Sequence, residues 1–405
     1  MSEESLVQLT RKGQEPEDTL PELGPQLTTK INVSQLSLDI LQNNPERLRN
    51  WEEQRRHPLL YMKNRWQWEN YPKWRYVAPF PLHVDLEADS RCNLKCPMCY
   101  RRVFDNMRVN AKKDPNLKFA AMDYDLYKKA VDECVENDLY SLRLSWRGES
   151  TLHPQLIDFV AYAKDAGIPE VSFITHGGNL TEEYIKGLID ARLDYISLSI
   201  DATAKAYDKL RAPLKYDETV ERVALMHRLR DEYGEGYPKI KVQGIYNYFE
   251  GDILDYYNTF LPITDNVSFN VEHDYSVEHH HANKEEDNIF CPYPWQRITV
   301  TATGLVPLCI ADWDADVPIG DIKTSSIKEI WHGPAMELAR NMHLENRRME
   351  IKPCAACIRL EDASIEEVAE PLREASQIYI QQQKRLNRKK NSRSPDKKGI
   401  DPRIP

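Results

Sequence analysis

The sequence has no apolar run long enough for a membrane span. None of the apolar stretches in its 405 residues approaches the roughly 18 consecutive residues needed to cross a bilayer. The N-terminus also has no basic segment followed by an apolar one, so nothing there predicts export. These two absences together predict a cytoplasmic protein without a transmembrane segment.

Basic charge is scarce along most of the chain. The formal net charge is −10, but residues 384–405 carry nine Lys or Arg and two Asp, a charge of +7, which leaves −17 for the rest. An acidic body argues against nucleic acid as the main substrate, because phosphate binding needs a basic surface. The tail could contact RNA or an anionic membrane, although a solvated, disordered end is the more ordinary interpretation.

Three of the eight cysteines lie on one short stretch. Cys92, Cys96 and Cys99 follow a strand-like run at 81–87 with the spacing C-x3-C-x2-C. Three thiolates on one loop can bind three corners of a cubane iron–sulfur cluster and leave the fourth iron open. A structural zinc site needs a fourth ligand nearby, and no other Cys or His lies between Val84 and Glu133. The spacing therefore predicts an open-corner cluster, with a zinc site completed from afar as the alternative.

The segment 91–100, with the sequence RCNLKCPMCY, resembles the signature of the radical S-adenosylmethionine (SAM) enzymes. The resemblance implies a [4Fe–4S] cluster whose open iron binds SAM, and an electron donor of the flavodoxin or ferredoxin type. It also implies reductive cleavage of SAM to a 5′-deoxyadenosyl radical that abstracts hydrogen from a substrate carbon. Many members have an aromatic residue before the third cysteine; here Met98 takes that position, which the resemblance places against adenine.

Strand-like and helix-like segments alternate after residue 81. Six strands are predicted, at 81–87, 141–145, 171–175, 195–200, 240–246 and 267–271. Repeated βα units imply an α/β fold with a parallel sheet and helices outside it. The pattern alone fits a doubly wound open sheet nearly as well as a barrel. The family resemblance favours a partial (βα)6 TIM-like barrel followed by a small α+β cluster-binding domain.

Polar residues follow several of these strands, where ligands gather in parallel βα folds. The resemblance implies that these residues bind the ammonium, carboxylate and ribose groups of SAM. They are Gly148 and Glu149 after the second strand, Thr175 at the end of the third, Ser199 and Asp201 around the end of the fourth, and Arg211 beyond it. One departure from the family is Arg147, which replaces the first of two glycines that usually precede the glutamate.

Four further cysteines lie in the last third of the chain. They are Cys291, Cys309, Cys354 and Cys357. A hairpin is predicted with strands at 296–301 and 305–310, and a C-x2-C pair follows later. Such a set can close on one site, and it resembles the SPASM or twitch domain, which implies a second, auxiliary [4Fe–4S] cluster ligated fully by protein. No cysteine follows Cys357, as a full SPASM pattern would require. A zinc site is the alternative.

The chain divides into six predicted segments. Residues 31–80 are predicted to be helical and rich in aromatic residues, with Leu36, Ile40 and Leu41 on one helix. This aromatic band would pack the extension onto the barrel or, alternatively, line a substrate groove. The full division is a disordered N-terminus at 1–30, the extension at 31–80, the barrel at 81–273, a linker at 274–290, the auxiliary domain at 291–360, and a C-terminal helix and basic tail at 361–405.

The reaction is predicted to be an oxidation. The substrate would be a sugar-like small molecule, for example a sugar nucleotide, and the auxiliary cluster would accept an electron. A peptide maturase and a radical epimerase are the alternatives, together with a non-catalytic electron-transfer protein. Epimerases commonly use a thiol as hydrogen donor, and the one unassigned cysteine, Cys134, is predicted to be buried in a helix face. Tyr246, Glu272 and His273 are candidate proton acceptors, chosen by their position near strand ends.

Overall fold

The protein is built on one large sheet with helices packed against it. A computed structural model describes residues 37–39, 52–99, 120–246, 249, 251–270, 291–355, 357 and 377–385. The strands are β1 Ser37–Asp39, β2 His83–Leu86, β3 Ser141–Arg143, β4 Glu170–Thr175, β5 Tyr195–Ser199, β6 Lys239–Ile245, β7 Asn266–Asn270, β8 Arg297–Val300, β9 Leu305–Pro307 and β10 Pro318–Asp321. The helices are α1 Pro58–Lys73, α2 Tyr124–Glu136, α3 Leu156–Ala166, α4 Glu182–Asp190, α5 Ala204–Leu210, α6 Tyr216–Tyr233, α7 Ile253–Phe260, α8 Ile327–Trp331, α9 Pro334–Leu344 and α10 Lys352–Ala355.

All six predicted strands are present as β2 to β7, and they lie side by side in chain order. The full order is β1-β7-β6-β5-β4-β3-β2-β8, and neighbours from β2 to β7 run parallel. The first and last of the six do not pair with each other, because β8 occupies the free edge of β2 and β1 that of β7. The six-stranded core is therefore a partial barrel, as predicted.

Short-range signals set the ends of several helices. Asp123 precedes α2, and its carboxylate accepts hydrogen bonds from the first free backbone N–H groups of that helix. Thr181 caps α4 in the same way, as its sequence predicts. Gly167 ends α3 with a φ of 110°, a left-handed conformation that glycine adopts without steric cost. These helices bury their apolar sides against the sheet, so local capping and long-range packing agree.

The extension at 31–80 is not helical throughout. Ser37–Asp39 forms β1, antiparallel to β7, where a helix carrying Leu36, Ile40 and Leu41 was expected. The physical reason is tertiary, because the exposed edge of β7 offers backbone groups for pairing that the local sequence does not reveal.

The helical and aromatic part of the extension packs onto the sheet. Asn64 of α1 donates a hydrogen bond to the Leu82 carbonyl at 3.0 Å, and Gln296 donates to the Trp68 carbonyl at 2.7 Å. The Trp68 ring also lies 6.1 Å from the ring of His83, at the start of β2. Part of the aromatic band thus contacts the end where strands begin, opposite the end expected to bind SAM, which agrees with the packing interpretation, whereas Trp66, Trp74 and Tyr76 are exposed.

The predicted hairpin at 296–310 is wrong. Its first strand, β8, joins the main sheet parallel to β2, and its second, β9, pairs antiparallel with β10 instead. Ile298 and Val300 of β8 are buried in the main core, so covering the edge of β2 gains more apolar burial than a two-stranded hairpin would. Cys309 consequently lies just beyond β9 instead of on a strand.

The predicted segments 1–30 and 274–290, and residues 386–405 of the tail, lie outside the described residues. None of the helices within the described ranges has the length and apolar character of a membrane span.

Candidate active site and auxiliary cluster site

The first three cysteines lie on the loop that leaves β2. Cys96 is buried, and Cys92 and Cys99 are half-buried. Leu94 and Met98 alternate with these cysteines and are themselves buried, in a small apolar cluster packed against Leu210, Leu214 and Ile245. The loop therefore presents three thiols from a backbone held by its own apolar side chains, near the ends of β6 and α5. Three such thiols fit an open-corner cluster.

Gly148 lets the segment after β3 touch this loop. A Cβ atom at position 148 would lie 2.1 Å from the Asp89 carbonyl oxygen and 2.6 Å from that of Arg91. The next residue, Glu149, donates its backbone N–H to the Arg91 carbonyl at 2.8 Å. Only glycine permits this approach, so Gly148 positions the cysteine loop through backbone contact.

The Glu149 carboxylate organises the neighbouring strand ends. It is 3% exposed, and one of its oxygens accepts hydrogen bonds of 2.6 Å from the hydroxyls of both Thr151 and Thr175. Its other oxygen accepts the backbone N–H of His176 at 2.9 Å. The chain's own donors thus engage both oxygens. A contact between Glu149 and the SAM ammonium stays a prediction, and so does the role of Thr175.

His176 connects this network to the cysteine loop as a neutral side chain. Its Nδ1 accepts the backbone N–H of Gly178 at 2.9 Å, and its Nε2 lies 2.8 Å from the Asn93 side-chain oxygen. Because a backbone N–H can only donate, Nδ1 carries no proton and Nε2–H is the donor to Asn93. Burial lowers the pKa of His176, with the nearby Glu149 charge opposing that shift, which agrees with this tautomer.

A buried ion pair stands beside Cys96. Arg211 binds Asp201 with N–O distances of 2.5 and 2.6 Å, and its guanidinium lies 3.6 Å from the Cys96 sulfur. Burial raises the pKa of Cys96, and the Arg211 charge opposes that rise. A cation at this distance suits a thiolate ligand of an anionic cluster. Ser199 is half-buried at the end of β5, two residues before Asp201.

The candidate proton acceptors are only partly described. Tyr246 follows β6 directly and is half-buried, with its ring 6.3 Å from that of Phe269. Glu272 and His273 lie outside the described residues. All three stay predictions.

Arg147 stands where the family usually has a glycine, and its large side chain lies between two domains. Its guanidinium forms a two-pronged ion pair with the fully buried Glu87, at 2.7 and 2.8 Å. It also donates to the Trp313 carbonyl at 3.0 Å. Glu87 in turn accepts the backbone N–H of Ala302 at 3.0 Å. The Arg147–Glu87 ion pair thus connects the end of β2 to Trp313 and to Ala302 of the C-terminal domain.

Trp146 makes the second connection between the domains. Its indole N–H donates to the Ile310 carbonyl at 2.9 Å, and its ring lies 6.2 Å from that of Trp313. Ile310 directly follows Cys309, whereas Trp146 lies two residues before the glycine that contacts the first cysteine loop. A short run of covalent and hydrogen bonds therefore joins the two groups of cysteines.

The last four cysteines line one cavity. Cys291, Cys309, Cys354 and Cys357 line one partly open pocket. Burial and the neighbouring thiols raise the pKa of Cys309 to about 12 and raise that of Cys291 and Cys354 as well. Metal binding deprotonates such thiols. Four thiols around one pocket can each bind one iron of a cubane cluster.

Cys134 belongs to the main hydrophobic core and lines neither site. It lies on α2 with an exposure of 0%, in the core formed with Tyr127, Ala130 and Val131, as its sequence predicts. Burial raises the pKa of its thiol well above the usual range.

Two family models match the chain in the order that this geometry suggests. The radical SAM superfamily model matches residues 89–235, and an iron–sulfur cluster-binding domain, SPASM, matches residues 291–358. The chain therefore contains a radical SAM domain followed by a SPASM domain. This radical SAM protein accordingly binds a [4Fe–4S] cluster and SAM, and its SPASM domain binds auxiliary iron–sulfur.

Relatives of this radical SAM protein have varied activities. A tungsten-containing aldehyde ferredoxin oxidoreductase cofactor-modifying protein from Pyrococcus furiosus is 28% identical over 40% of this chain and 42% of its own length. A PqqA peptide cyclase from Methylocella silvestris is 33% identical over 32% of each chain. An S-adenosyl-L-methionine-dependent 2-deoxy-scyllo-inosamine dehydrogenase from Niallia circulans is 24% identical over 68% of this chain and 91% of its own. The chain thus spans only about two fifths and one third of the first two.

Solved structures are also similar to part of this chain. BtrN in complex with AdoMet and 2-DOIA has a TM-score of 0.47 and 19% identity, over 70% of this chain and 94% of its own. SuiB from Streptococcus suis, bound to S-adenosylmethionine, has a TM-score of 0.46 and 14% identity, over 71% and 74%. Similarity at this level does not identify a substrate.

Several residues of the two sites escaped prediction from the sequence. They are Glu87, Asn93, Trp146, Arg147, Trp313, His343 and Arg348. The Arg147 departure from the family pattern was a usable signal, since a large cation in a glycine position must find a partner. The others carry no local pattern, because their partners are distant in sequence.

Proposed function

We propose that this radical SAM protein oxidises a carbon that bears an alcohol or amine on a sugar-like small molecule. Cys92, Cys96 and Cys99 would hold the first cluster, and Cys291, Cys309, Cys354 and Cys357 the auxiliary one. When bound, the first cluster and SAM would supply a 5′-deoxyadenosyl radical, which removes a hydrogen atom from the substrate. The auxiliary cluster would accept the remaining electron. The substrate then loses one proton, which completes a two-electron oxidation.

The observation that carries this proposal is the connection through Trp146 and Arg147. It joins the backbone next to the first cysteine loop to Ile310, the residue after Cys309. A chain that only returned a hydrogen atom to the substrate radical would have no need to hold an electron acceptor in this way. Arg147 and Trp146 therefore favour oxidation.

The remaining cysteine supports the same choice. Cys134 lies in the core between α2 and the sheet, with its thiol inaccessible to solvent. It cannot reach a substrate at the strand ends without unfolding α2. A thiol-quenched epimerisation thus has no free cysteine to use.

The proposed SAM contacts combine a charged pair and a hydroxyl. Arg211 would bind the SAM carboxylate, while Asp201 fixes the guanidinium. Ser199, with Asp201, would bind the ribose, and Met98 would cover the adenine. Glu149 and Thr175 would complete the ammonium site after Gly148 has set the distance to the loop. A nearby base, for which Tyr246, Glu272 and His273 are the candidates, would take the substrate proton.

A small substrate is favoured by one relative that matches along nearly its whole length. The dehydrogenase from Niallia circulans is covered over 91% of its length, and its name describes an aminocyclitol substrate. The peptide alternative rests on the PqqA peptide cyclases, one of which is covered over only 32%. A flavodoxin- or ferredoxin-type donor and a cytoplasmic location complete the proposal.

Product analysis by mass spectrometry tests the reaction. The anaerobically reconstituted protein would be incubated with SAM, a reductant and panels of aminocyclitols, sugar nucleotides and peptides, in deuterated water. We expect a small-molecule product that is two mass units lighter than its substrate by the loss of two hydrogen atoms. A product of unchanged connectivity with solvent deuterium on carbon would show epimerisation instead, and modification of a peptide alone would show a maturase.

A Cys134→Ala variant serves as the matched control. Oxidation should continue at nearly the wild-type rate, because the thiol takes no part in it. Loss of turnover with intact SAM cleavage would contradict the oxidation proposal.

A further inference from the structure

Two basic side chains line the auxiliary cavity together with the four cysteines. His343 lies near the end of α9, and Arg348 begins the short 3-10 helix Arg348–Glu350 that precedes α10. They are 6% and 3% exposed, respectively. Nothing in the reaction described so far requires a cation or an imidazole at this place.

Each of these side chains keeps a buried polar atom without a partner. For Arg348 it is Nε, although its Nη1 donates to the Cys354 carbonyl at 3.2 Å. For His343 it is Nδ1, and its Nε2 lies 3.5 Å from the Cys354 sulfur. No carboxylate among the described residues forms a salt bridge with Arg348. An unpaired buried N–H of a charged group is destabilising, so a hydrogen-bond acceptor inside the cavity would stabilise the Arg348 Nε–H.

The chemistry of the cavity identifies that partner. Four thiolates and four sulfides leave a four-iron cluster negative in both of its redox states, and more so after reduction. A nearby positive charge and hydrogen bonds to sulfur therefore favour the reduced state. Arg348 supplies the charge, because a guanidinium keeps its proton in proteins.

We propose that Arg348 and His343 are positioning residues that raise the reduction potential of the auxiliary cluster. Arg348 acts mainly through its charge, and His343 through the ring nitrogen that faces the Cys354 sulfur. The inference deepens the proposed function, since an electron acceptor needs an accessible potential. It can nevertheless be tested on the auxiliary cluster alone, without any substrate.

The test is a potentiometric titration of the auxiliary cluster, followed by electron paramagnetic resonance. The full chain carrying Cys92→Ala, Cys96→Ala and Cys99→Ala would hold only this cluster. In that background, Arg348→Gln removes the charge and Arg348→Lys keeps it. Arg347→Gln is the matched control, because Arg347 is an exposed neighbour paired with Glu345 and Glu350 at the surface.

We expect Arg348→Gln to lower the midpoint potential. At the wild-type midpoint, its ratio of reduced to oxidised cluster should fall by about tenfold or more, as expected for the loss of one charge within several ångströms. Arg348→Lys should recover most of the ratio, and Arg347→Gln should leave it unchanged. An unchanged midpoint in Arg348→Gln with full iron content would overturn the proposal.

A second pair of variants tests the proposed effect on the reduction potential if Arg348→Gln does not retain its iron. His343→Leu should lower the midpoint by a smaller amount, and His343→Gln, which keeps an N–H donor, should restore it. Equal midpoints for wild type, His343→Leu and His343→Gln would overturn the proposal. Failure to oxidise any substrate would contradict the proposed function but would leave these potentials unaffected, so the two outcomes are distinguishable.

Discussion

The two cysteine sites of this protein are built in opposite ways. The first takes three thiols from one loop after β2 and surrounds them with the strand-end residues of the sheet. The second takes four thiols from three separate segments, which line a partly open pocket with His343 and Arg348. In the first site the nearby carboxylates, Glu149 and Asp201, are already hydrogen-bonded by the chain itself. In the second, the buried Nε of Arg348 and Nδ1 of His343 have no hydrogen-bond partner.

This difference corresponds to two kinds of ligand, one that is exchanged at each turnover and one that stays bound. A site that exchanges SAM at each turnover needs a preformed polar framework that persists when the ligand leaves, and the network around Glu149 provides one. A permanently bound cluster can itself be the hydrogen-bond partner, which agrees with the unpartnered atoms of Arg348 and His343 in the auxiliary cavity. Arg147 and Trp146 lie between the sites and belong to neither. Their contacts add to the pairing of β2 with β8 and to the hydrogen bonds from Ile327 and Lys328 to Glu133 of α2.

The largest effects should come from removing the thiols of one site at a time. Cys92→Ala, Cys96→Ala and Cys99→Ala together should reduce the iron content from about eight to about four per chain and abolish 5′-deoxyadenosine formation. Cys354→Ala with Cys357→Ala should remove the other cluster and leave the first intact. Iron analysis and chromatography of 5′-deoxyadenosine measure both. Reductive SAM cleavage by the first variant, or zinc without a second iron signal in the wild type, would contradict the assignments.

Gly148→Ala should damage the first site selectively. Its Cβ would meet the Asp89 and Arg91 carbonyls at 2.1 and 2.6 Å, so the cysteine loop must move. We expect loss of most of the first cluster and at least about a hundredfold less 5′-deoxyadenosine, a range typical of an ångström-scale misplacement, while the auxiliary cluster is retained. Gly167→Ala is the control, since a Cβ there meets nothing within 4 Å and strains only the end of α3. Equal losses in both variants would show a general folding defect.

Arg147→Met should weaken the contact between the barrel and the C-terminal domain. It leaves Glu87, which is 0% exposed, without its cation, and breaking a buried pair in this way costs about 3–5 kcal/mol. We expect a lower melting temperature and fewer product molecules per 5′-deoxyadenosine. The double variant Glu87→Gln/Arg147→Met should recover part of the stability, because no charge remains unpaired. A single variant as stable as the wild type would mean that the pair does not hold the domains.

The smallest effect concerns pH at the first site. Since burial lowers the pKa of His176 in the folded protein, the unfolded chain takes up this proton at a higher pH than the folded one. Stability should therefore be fully present above about pH 6.5 and decrease as the pH falls, by at most about 1.4 kcal/mol per unit. Thermal unfolding between pH 7.5 and 5.5 measures this. His176→Asn should flatten the dependence, and an identical slope in both proteins would contradict it.

Sequence reasoning succeeded where structure follows from neighbouring residues. The cysteine loop, the Thr181 cap, the Gly167 helix end and the six strands each depend on local spacing, capping or period. The family resemblance then assigned SAM and both clusters, which the family models confirm. The burial of Cys134 was also readable, because the helical period places it among apolar residues.

Tertiary structure decided the rest, because pairing partners distant along the chain leave no local pattern. The expected hairpin at 296–310 and the expected helix around Leu36 gave way to β8 and β1, each of which covers an open edge of the sheet. Where β8 lies determines where Cys309 and Trp313 meet Trp146 and Arg147. The sequence by itself thus determined which chemistry each cysteine group can support. Only the packing of β8 against β2 decided how the two groups are joined, because backbone pairing at a sheet edge depends on which edge is free and not on which residues are present.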